Sequence, residues 1–422
     1  MAGSGEALRY RNFALFWGGA LISNTGSWVQ NVTVPFVLYR LTGNALWVGL
    51  STFAQFLPAV LLGPLAGSLA DRYPRRRILL ITQSALAVAA LGLWGVWVAD
   101  LAKPGVIVGL VCLAGIVAGL NITAWQAFVT ELVPRSVLPN AITLNSAQFN
   151  ASRALGPALG GVVLAAVGPG WAFLLNALSF GAVIAALVLI QVPRLVPPVG
   201  DRPTVMREFA TTIRYVRDRP GLSVCILTVV VLGLLGSPVF SLIVVFTDDV
   251  FHVGRQAYGF LGACLGLGAI VGAPLVTGRV GRMARGAVVR VALPLYGASV
   301  AAFALAPVYA VAAVALVVAG AGYLAVAAAL NTALQLQVDE ARRGKVVALY
   351  LMALTAAIPV GGLVQGVLVD VFGPRTTVAA AGLLLVVLAV WLGMSGRLVA
   401  LGDGPAAVAV APASARSAAV AD

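Results

Sequence analysis

Charge is what this chain has least of. Only 10% of its 422 residues are Asp, Glu, Lys or Arg, against about 25% in soluble domains. With 61% hydrophobic residues, a soluble globular domain of this length is excluded, and the chain is expected in a lipid bilayer. Histidine occurs once, at position 252. The three cysteines, Cys112, Cys225 and Cys264, are far apart, with neither metal-ligand nor redox spacing. No glycine-rich loop followed by Lys and Ser or Thr is present, so the chain carries no nucleotide-hydrolysing P-loop. No cluster of acids, histidine or lysine marks a catalytic centre in the loops. An enzyme is therefore not expected, nor is a metal or other cofactor. Acidic residues are also few, 14 against 27 basic ones, for a formal charge of +13. Such a charge suits a nucleic-acid binder. Here, however, the arginines lie in short clusters between apolar runs and not along one basic face, so no nucleic-acid partner is expected.

What is present is a succession of apolar runs. A membrane-spanning helix needs about 20 mostly apolar residues. Twelve such windows fall near 13–39, 45–70, 78–99, 104–131, 140–166, 170–192, 221–247, 256–277, 287–306, 308–333, 345–371 and 376–395. The apolar character runs nearly all the way round each, as expected of helices in lipid. The short alternating strands of an outer-membrane barrel are absent. The first window follows a basic segment but is too long for a signal peptide and lacks a clear cleavage site, so it is read as an uncleaved first span.

Orientation follows from the basic residues. With the N-terminus inside, the inner segments hold 22 Lys and Arg, the outer ones hold four (Arg40, Lys103, Arg255 and Arg375), and Arg153 alone falls within a span. Both termini are thus expected in the cytoplasm, in an inner (plasma) membrane. The long polar stretch near the middle divides the chain into an N-terminal six-helix bundle (1–192), a cytoplasmic linker (193–220), a C-terminal six-helix bundle (221–395) and a flexible tail (396–422). A shift of 205 residues lays Gly156-Pro-Ala-Leu-Gly-Gly161 over Gly361-Gly-Leu-Val-Gln-Gly366, and Gly168-Pro169 over Gly373-Pro374. Two parallel repeats of six helices are an architecture of transporters.

Between the second and third windows the sequence reads Gly67-Ser-Leu-Ala-Asp71-Arg72-Tyr-Pro-Arg75-Arg76-Arg77. It resembles the signature Gly-x-x-x-Asp-Arg-x-Gly-Arg-Arg of the major facilitator superfamily at Gly67, Asp71, Arg72, Arg75 and Arg76, with Pro74 in place of a glycine. Ile22-Ser-Asn-Thr-Gly-Ser-Trp28, Leu144-Asn-Ser and Val338-Asp-Glu-x-x-Arg-Gly-Lys345 resemble the branch of enterobactin exporters and macrolide efflux proteins. The resemblance spans almost the whole chain. It implies an all-α integral membrane fold with twelve transmembrane helices in two pseudo-repeated six-helix bundles, and usually a monomer. It also implies that Asp71 and the arginines form a cytoplasmic gate, Asp71 docking near the eleventh span. The plainer reading is that the arginines only set topology. In this superfamily a Gly-Pro-x-x-Gly-Gly element, here Gly156, Pro157, Gly160 and Gly161, is typical of antiporting exporters. Close helix packing explains it as well.

Arg153 lies about 20 Å along the fifth span at 1.5 Å per residue, near the membrane middle, where an ionised side chain faces a cavity or a partner. It either binds an anionic substrate or pairs with an acid, for which Glu131 is available. Polar side chains within spans outline a candidate substrate cavity: Asn24, Trp28, Gln30, Asn31, Gln55, Asn121, Trp125, Gln126 and Asn150, together with Arg153. Each amide serves equally well as an interhelical hydrogen-bonding group. Asp71, Glu131 and Arg153 are the candidate coupling residues, although none is an obvious central proton carrier, and proton coupling rests on the resemblance. The leading expectation is a secondary exporter moving a siderophore-like or drug-like small molecule by alternating access and proton antiport. An importer of a small polar nutrient and a lipid-modifying membrane enzyme are the alternatives.

Overall fold

The computed structural model describes residues 5–191, 205–277 and 283–402. A short turn of 3-10 helix, Glu6–Arg9, precedes α1 (Arg11–Thr42), α2 (Ala45–Arg72), α3 (Arg75–Val98), α4 (Pro104–Val129), α5 (Leu138–Ala166) and α6 (Pro169–Leu189). A helix within the expected linker, α7 (Val205–Arg217), leads to α8 (Pro220–Val231) and α9 (Val239–Val245), then α10 (Arg255–Thr277), α11 (Arg285–Leu305), α12 (Tyr309–Gln337), α13 (Glu340–Phe372) and α14 (Pro374–Met394). No strand occurs among the described residues.

Each of the twelve expected windows coincides with a helix, α8 and α9 together forming the seventh. Nine of these helices are long and apolar enough to cross a bilayer on their own among the described residues. α1, α5 and α10 are not among the nine. α1 carries Asn24, Gln30 and Asn31, and α5 carries Asn145, Gln148 and Arg153. Two of the three, α1 and α5, thus carry several polar side chains within the span. Large apolar side chains such as Leu61, Val88, Val162, Leu178, Val314 and Val387 are exposed, the arrangement a hydrocarbon solvent favours.

The helix ends follow from local chemistry. Gly43 ends α1 in the left-handed conformation (φ 61°), and the Asn44 side chain accepts the Leu46 N–H at 2.8 Å to start α2, an N-cap. Proline opens α4, α6, α8 and α14, where its missing N–H is no loss. Gly168 and Gly373 share nearly the same backbone, φ 85° and 84°, each directly before such a proline. They stand 205 residues apart, so the repeated Gly-Pro builds the same turn twice.

The helices form two sets with one packing scheme. In the first, α1 packs on α5 and α6, α2 on α4, and α3 on α4 and α6. In the second, the seventh span packs on α13 and α14, α10 on α12, and α11 on α12 and α14. Between the sets, α2 lies along α13 and α5 along α10. The repeated glycines occupy matching places. A Cβ on Gly156 would come within 2.2 Å of Trp28 on the first span, and one on Gly361 within 2.3 Å of Leu234 on the seventh. A Cβ on Gly161 would meet Gly259 of α10 at 2.0 Å, and one on Gly366 would meet Ala45 of α2 at 2.7 Å.

The seventh span is irregular. π-helical turns at Leu232–Gly236 and Phe246–Val250 flank α9. Such turns free backbone carbonyls. The buried side-chain amide of Gln365 donates to the Leu234 and Leu235 carbonyls, both at 2.9 Å. At the far end of this span, α7 is pinned to the start of α13. The Tyr215 hydroxyl donates to Asp339 at 2.9 Å, and the guanidinium carbons of Arg219 and Arg342 stand 3.6 and 4.6 Å from the Tyr215 ring centre. Residues 193–204 of the expected linker, the Gly278–Arg282 segment and the tail from 403 lie outside the described residues.

Candidate functional site

Trp28, Asn31, Gln55 and Arg153, four of the ten expected cavity residues, line one cavity between the two helix sets. The seventh span and α10 supply Ser237, Phe240, Ser241, Tyr258 and Gly262 to the same cavity. Gln55 donates to Asn31 at 2.7 Å, which fixes one amide from each of α1 and α2 at the wall. Pro157 of α5 also lines it.

Arg153 sits in a box of rings. Its guanidinium carbon is 5.8 Å from the Trp28 ring centre, 5.9 Å from Phe240 and 5.5 Å from Tyr323. These rings come from α1, α9 and α12, so both helix sets build the box. Gly156 allows it, because any larger residue there would collide with Trp28. Cation–π attraction contributes on the order of 0.5 to 2 kcal/mol per favourable contact, more when water is excluded. Arg153 is in none of the ion pairs among the described residues. Glu131, its expected alternative partner, is held instead by Arg75 at 2.6 Å. Ser237 Oγ, at the same cavity, is buried and has no hydrogen-bond partner among the described residues.

At the end of the molecule where arginine is scarce, the two sets are tied together. Arg40 of α1 pairs with Asp248 at 2.8 Å, and Tyr39 donates to Asp249. Asp370, near the end of α13, accepts the backbone N–H groups of Ala45 and Leu46, both at 2.8 Å. A carboxylate at a helix N-terminus meets both the free N–H groups and the positive end of the dipole. Deeper in, Thr52 and Ser241 share a hydrogen bond of 3.2 Å, and the Tyr258 hydroxyl donates to the Val32 carbonyl at 2.9 Å. No group of three or more His, Cys, Asp or Glu among the described residues is placed to hold a metal ion.

At the arginine-rich end, Arg76 donates to the Leu187 and Val188 carbonyls at 2.6 and 2.9 Å, covering the C-terminus of α6 as a cation can. Arg75 holds Glu131, and Arg72 is exposed. A Cβ on Gly67 would meet nothing within 4 Å. Asp71 is the penultimate residue of α2; its side chain lies outside the described residues, as does that of Asn150.

Other expected cavity residues point to neighbouring helices. Asn24 donates to Gln148 at 3.3 Å. Gln30 accepts from Asn176 of α6 at 2.7 Å. Asn121 accepts from Thr82 at 2.8 Å and Gln83 at 3.2 Å, both on α3. Trp125 packs its ring 4.6 Å from that of Phe16. Gln126 is exposed. None of these lines the Arg153 cavity. Sequence reasoning missed Phe240, Tyr323 and Ser237. The Gly236-Ser-Pro238 interruption inside an apolar span was the available signal, since a break at membrane depth is tolerated where it faces protein or a cavity.

A helical bundle with paired sets and a cation-bearing cavity between them is the fold of a major facilitator membrane transporter. A family described as transmembrane secretion effectors matches residues 3–408, and the chain belongs to it. It is 28% identical over 372 residues, 86% of both chains, to the enterobactin exporter of Shigella flexneri. It is 24% identical over 258 residues to the staphyloferrin A transporter of Staphylococcus aureus, covering 61% of this chain and 64% of that one. Among solved structures, a bacterial homolog of the human lysosomal transporter Spinster, inward-facing and unoccupied, superposes with a TM-score of 0.71 at 15% identity, over 92% of this chain and 97% of that one. A bacterial homologue of the iron transporter ferroportin, inward-facing, gives 0.69 at 18% identity, over 90% and 98%. These two likenesses concern the fold.

Proposed function

We propose that this chain is a secondary exporter that carries a siderophore-like organic molecule across the bacterial inner membrane by alternating access. The cavity around Arg153 carries the reading. It lies between the two helix sets, its walls come from both, and its amides, hydroxyls and rings suit a large, partly apolar solute. The relatives named as an enterobactin exporter and a staphyloferrin A transporter support the cargo class. In this proposal the arginine-rich end faces the cytoplasm, following the 22-to-4 distribution of basic residues, and the chain works as two six-helix units joined by the linker. The ties at Arg40, Tyr39 and Asp370 then hold the outer side shut. When they part, the inner end closes, with Asp71 and its arginines docking toward Lys345 as the cytoplasmic gate. Each ligand or gate contact shifts a two-state equilibrium only by its differential energy in the two states.

Proton antiport is part of the proposal, with Asp71 and Glu131 as coupling candidates and the Gly156–Gly161 element of α5 as the antiporter-type feature. Inside-out vesicles made from cells with and without the protein test the whole reading. Vesicles holding the protein should accumulate a metal-free catecholate or carboxylate siderophore when a proton gradient is imposed, and lose the uptake when the gradient is collapsed. Accumulation in right-side-out vesicles alone would turn the reading to import.

A further inference from the structure

We infer that the cargo carries an oxyanion on an apolar or aromatic body, and that the Arg153 guanidinium receives it. The inference rests on the cavity being the cargo site and adds the charge of what enters it. A guanidinium within a membrane span is expensive unless paired or facing water. Its planar fork carries five N–H donors and no acceptor. Among the described residues these donors have no hydrogen-bond acceptor; what surrounds the charge is three rings, from Trp28, Phe240 and Tyr323. Rings stabilise the charge through their faces but leave the N–H edge open, and a carboxylate or ionised catechol matches that edge with two parallel bonds.

Among the described residues no carboxylate is paired with the Arg153 guanidinium. Glu131 is engaged by Arg75, Asp248 by Arg40, Asp249 by Tyr39, and Asp370 by the first N–H groups of α2. The same cavity also holds Ser237 Oγ, which is buried and has no hydrogen-bond partner among the described residues and can donate to a ligand oxygen. Beside the amides and hydroxyls, the lining of this cavity includes Val32, Phe56, Ile243 and Ile358 as well as the rings, which suits an apolar or aromatic body attached to the anion. The box also makes recognition depend on both helix sets. Phe240 and Tyr323 belong to one and Arg153 to the other, so an anion that draws the guanidinium toward its own plane competes with contacts that bridge the sets.

Calorimetric titration of the purified full chain in neutral detergent tests this, with 2-naphthoate and its uncharged amide, 2-naphthamide, as probes and protein-free micelles as blank. The expected result is at least tenfold tighter binding of the carboxylate. Arg153→Gln should abolish that preference, Arg153→Lys should keep a few-fold remnant, and Ser237→Ala should weaken the carboxylate a few-fold. Equal affinity for the two probes in the unaltered protein overturns the inference, as does a preference that survives in Arg153→Gln. Should Arg153→Gln fail to fold, the two-probe comparison on the unaltered chain and the lysine variant still decide. The outcomes separate from those of the export reading: uptake into inside-out vesicles without any charge preference removes the anion and leaves export standing, whereas charge preference without uptake does the reverse.

Discussion

Gly161 of α5 and Gly259 of α10 meet backbone to backbone, so closely that a Cβ on either would lie 2.0 Å from the Cα of the other. The contact joins the two helix sets near the arginine-poor end. Neighbouring Gly160 is different: a Cβ there would find its nearest atom, the Val29 Cα, at 3.3 Å.

Gly161→Ala should therefore push α5 and α10 apart, while Gly160→Ala should be far milder. Overpacking of a tight contact costs about 1 to 3 kcal/mol, or roughly 5- to 150-fold in an equilibrium at 1.4 kcal/mol per tenfold. Cysteines placed at the arginine-poor end, with Cys112, Cys225 and Cys264 replaced by serine, should react faster with a thiol reagent in Gly161→Ala than in the parent. Equal labelling in the two alanine variants would argue that this glycine contact does not set the closed end.

The ties at that end should rank by burial and charge. Asp370→Ala removes the acceptor of the Ala45 N–H and one of the two acceptors of the Leu46 N–H, which Asn44 also holds, and hydrogen bonds to a charged group contribute about 1.5 to 3 kcal/mol. Arg40 is half exposed in its pair with Asp248, and exposed pairs contribute about 0 to 1 kcal/mol. In the same labelling assay Asp370→Ala should open the end at least several-fold more than Arg40→Ala. The reverse order would move the principal tie to the Arg40 pair.

Arg75 and Glu131 form a close, partly buried pair within one helix set. Arg75→Gln and Glu131→Gln should each lower the thermal midpoint, and the double variant should fall by less than their sum. A double-mutant cycle should give a coupling of about 0.5 to 3 kcal/mol, as for residues in contact. A sum that is simply additive would mean that the pair does not act as one.

Gln365 is buried, and its amide satisfies two carbonyls of the π turn. Gln365→Met keeps the approximate volume but orphans those carbonyls, so it should destabilise the protein by about 1 to 3 kcal/mol. The drop should appear in thermal unfolding in detergent. An unchanged midpoint would mean that water or a local rearrangement replaces the amide.

Much of the fold was legible because lipid imposes long apolar helices that interrupt only at polar or Gly-Pro positions. Gly168-Pro169 and Gly373-Pro374 were readable as matching turns since only glycine adopts their φ without strain. The site was less legible. Asn31 and Asn121 are both amides within spans, yet one faces the cavity and the other bonds to Thr82 and Gln83. Residue type does not distinguish these roles, because an amide satisfies itself equally on a ligand or on a neighbouring helix. Phe240 and Tyr323 were invisible as site residues, since a ring in an apolar span looks like any other apolar side chain.

By itself, the sequence determined that this chain lives in a membrane, roughly where its spanning helices lie, and that its two parts repeat. Those follow from the price of polar groups in hydrocarbon and from backbone geometry, which act locally along the chain. Only the tertiary structure decided that Glu131 belongs to Arg75 and that Arg153 faces rings from both helix sets. Such partners are chosen by distances across the bundle, between residues far apart in sequence, and no local rule reports them.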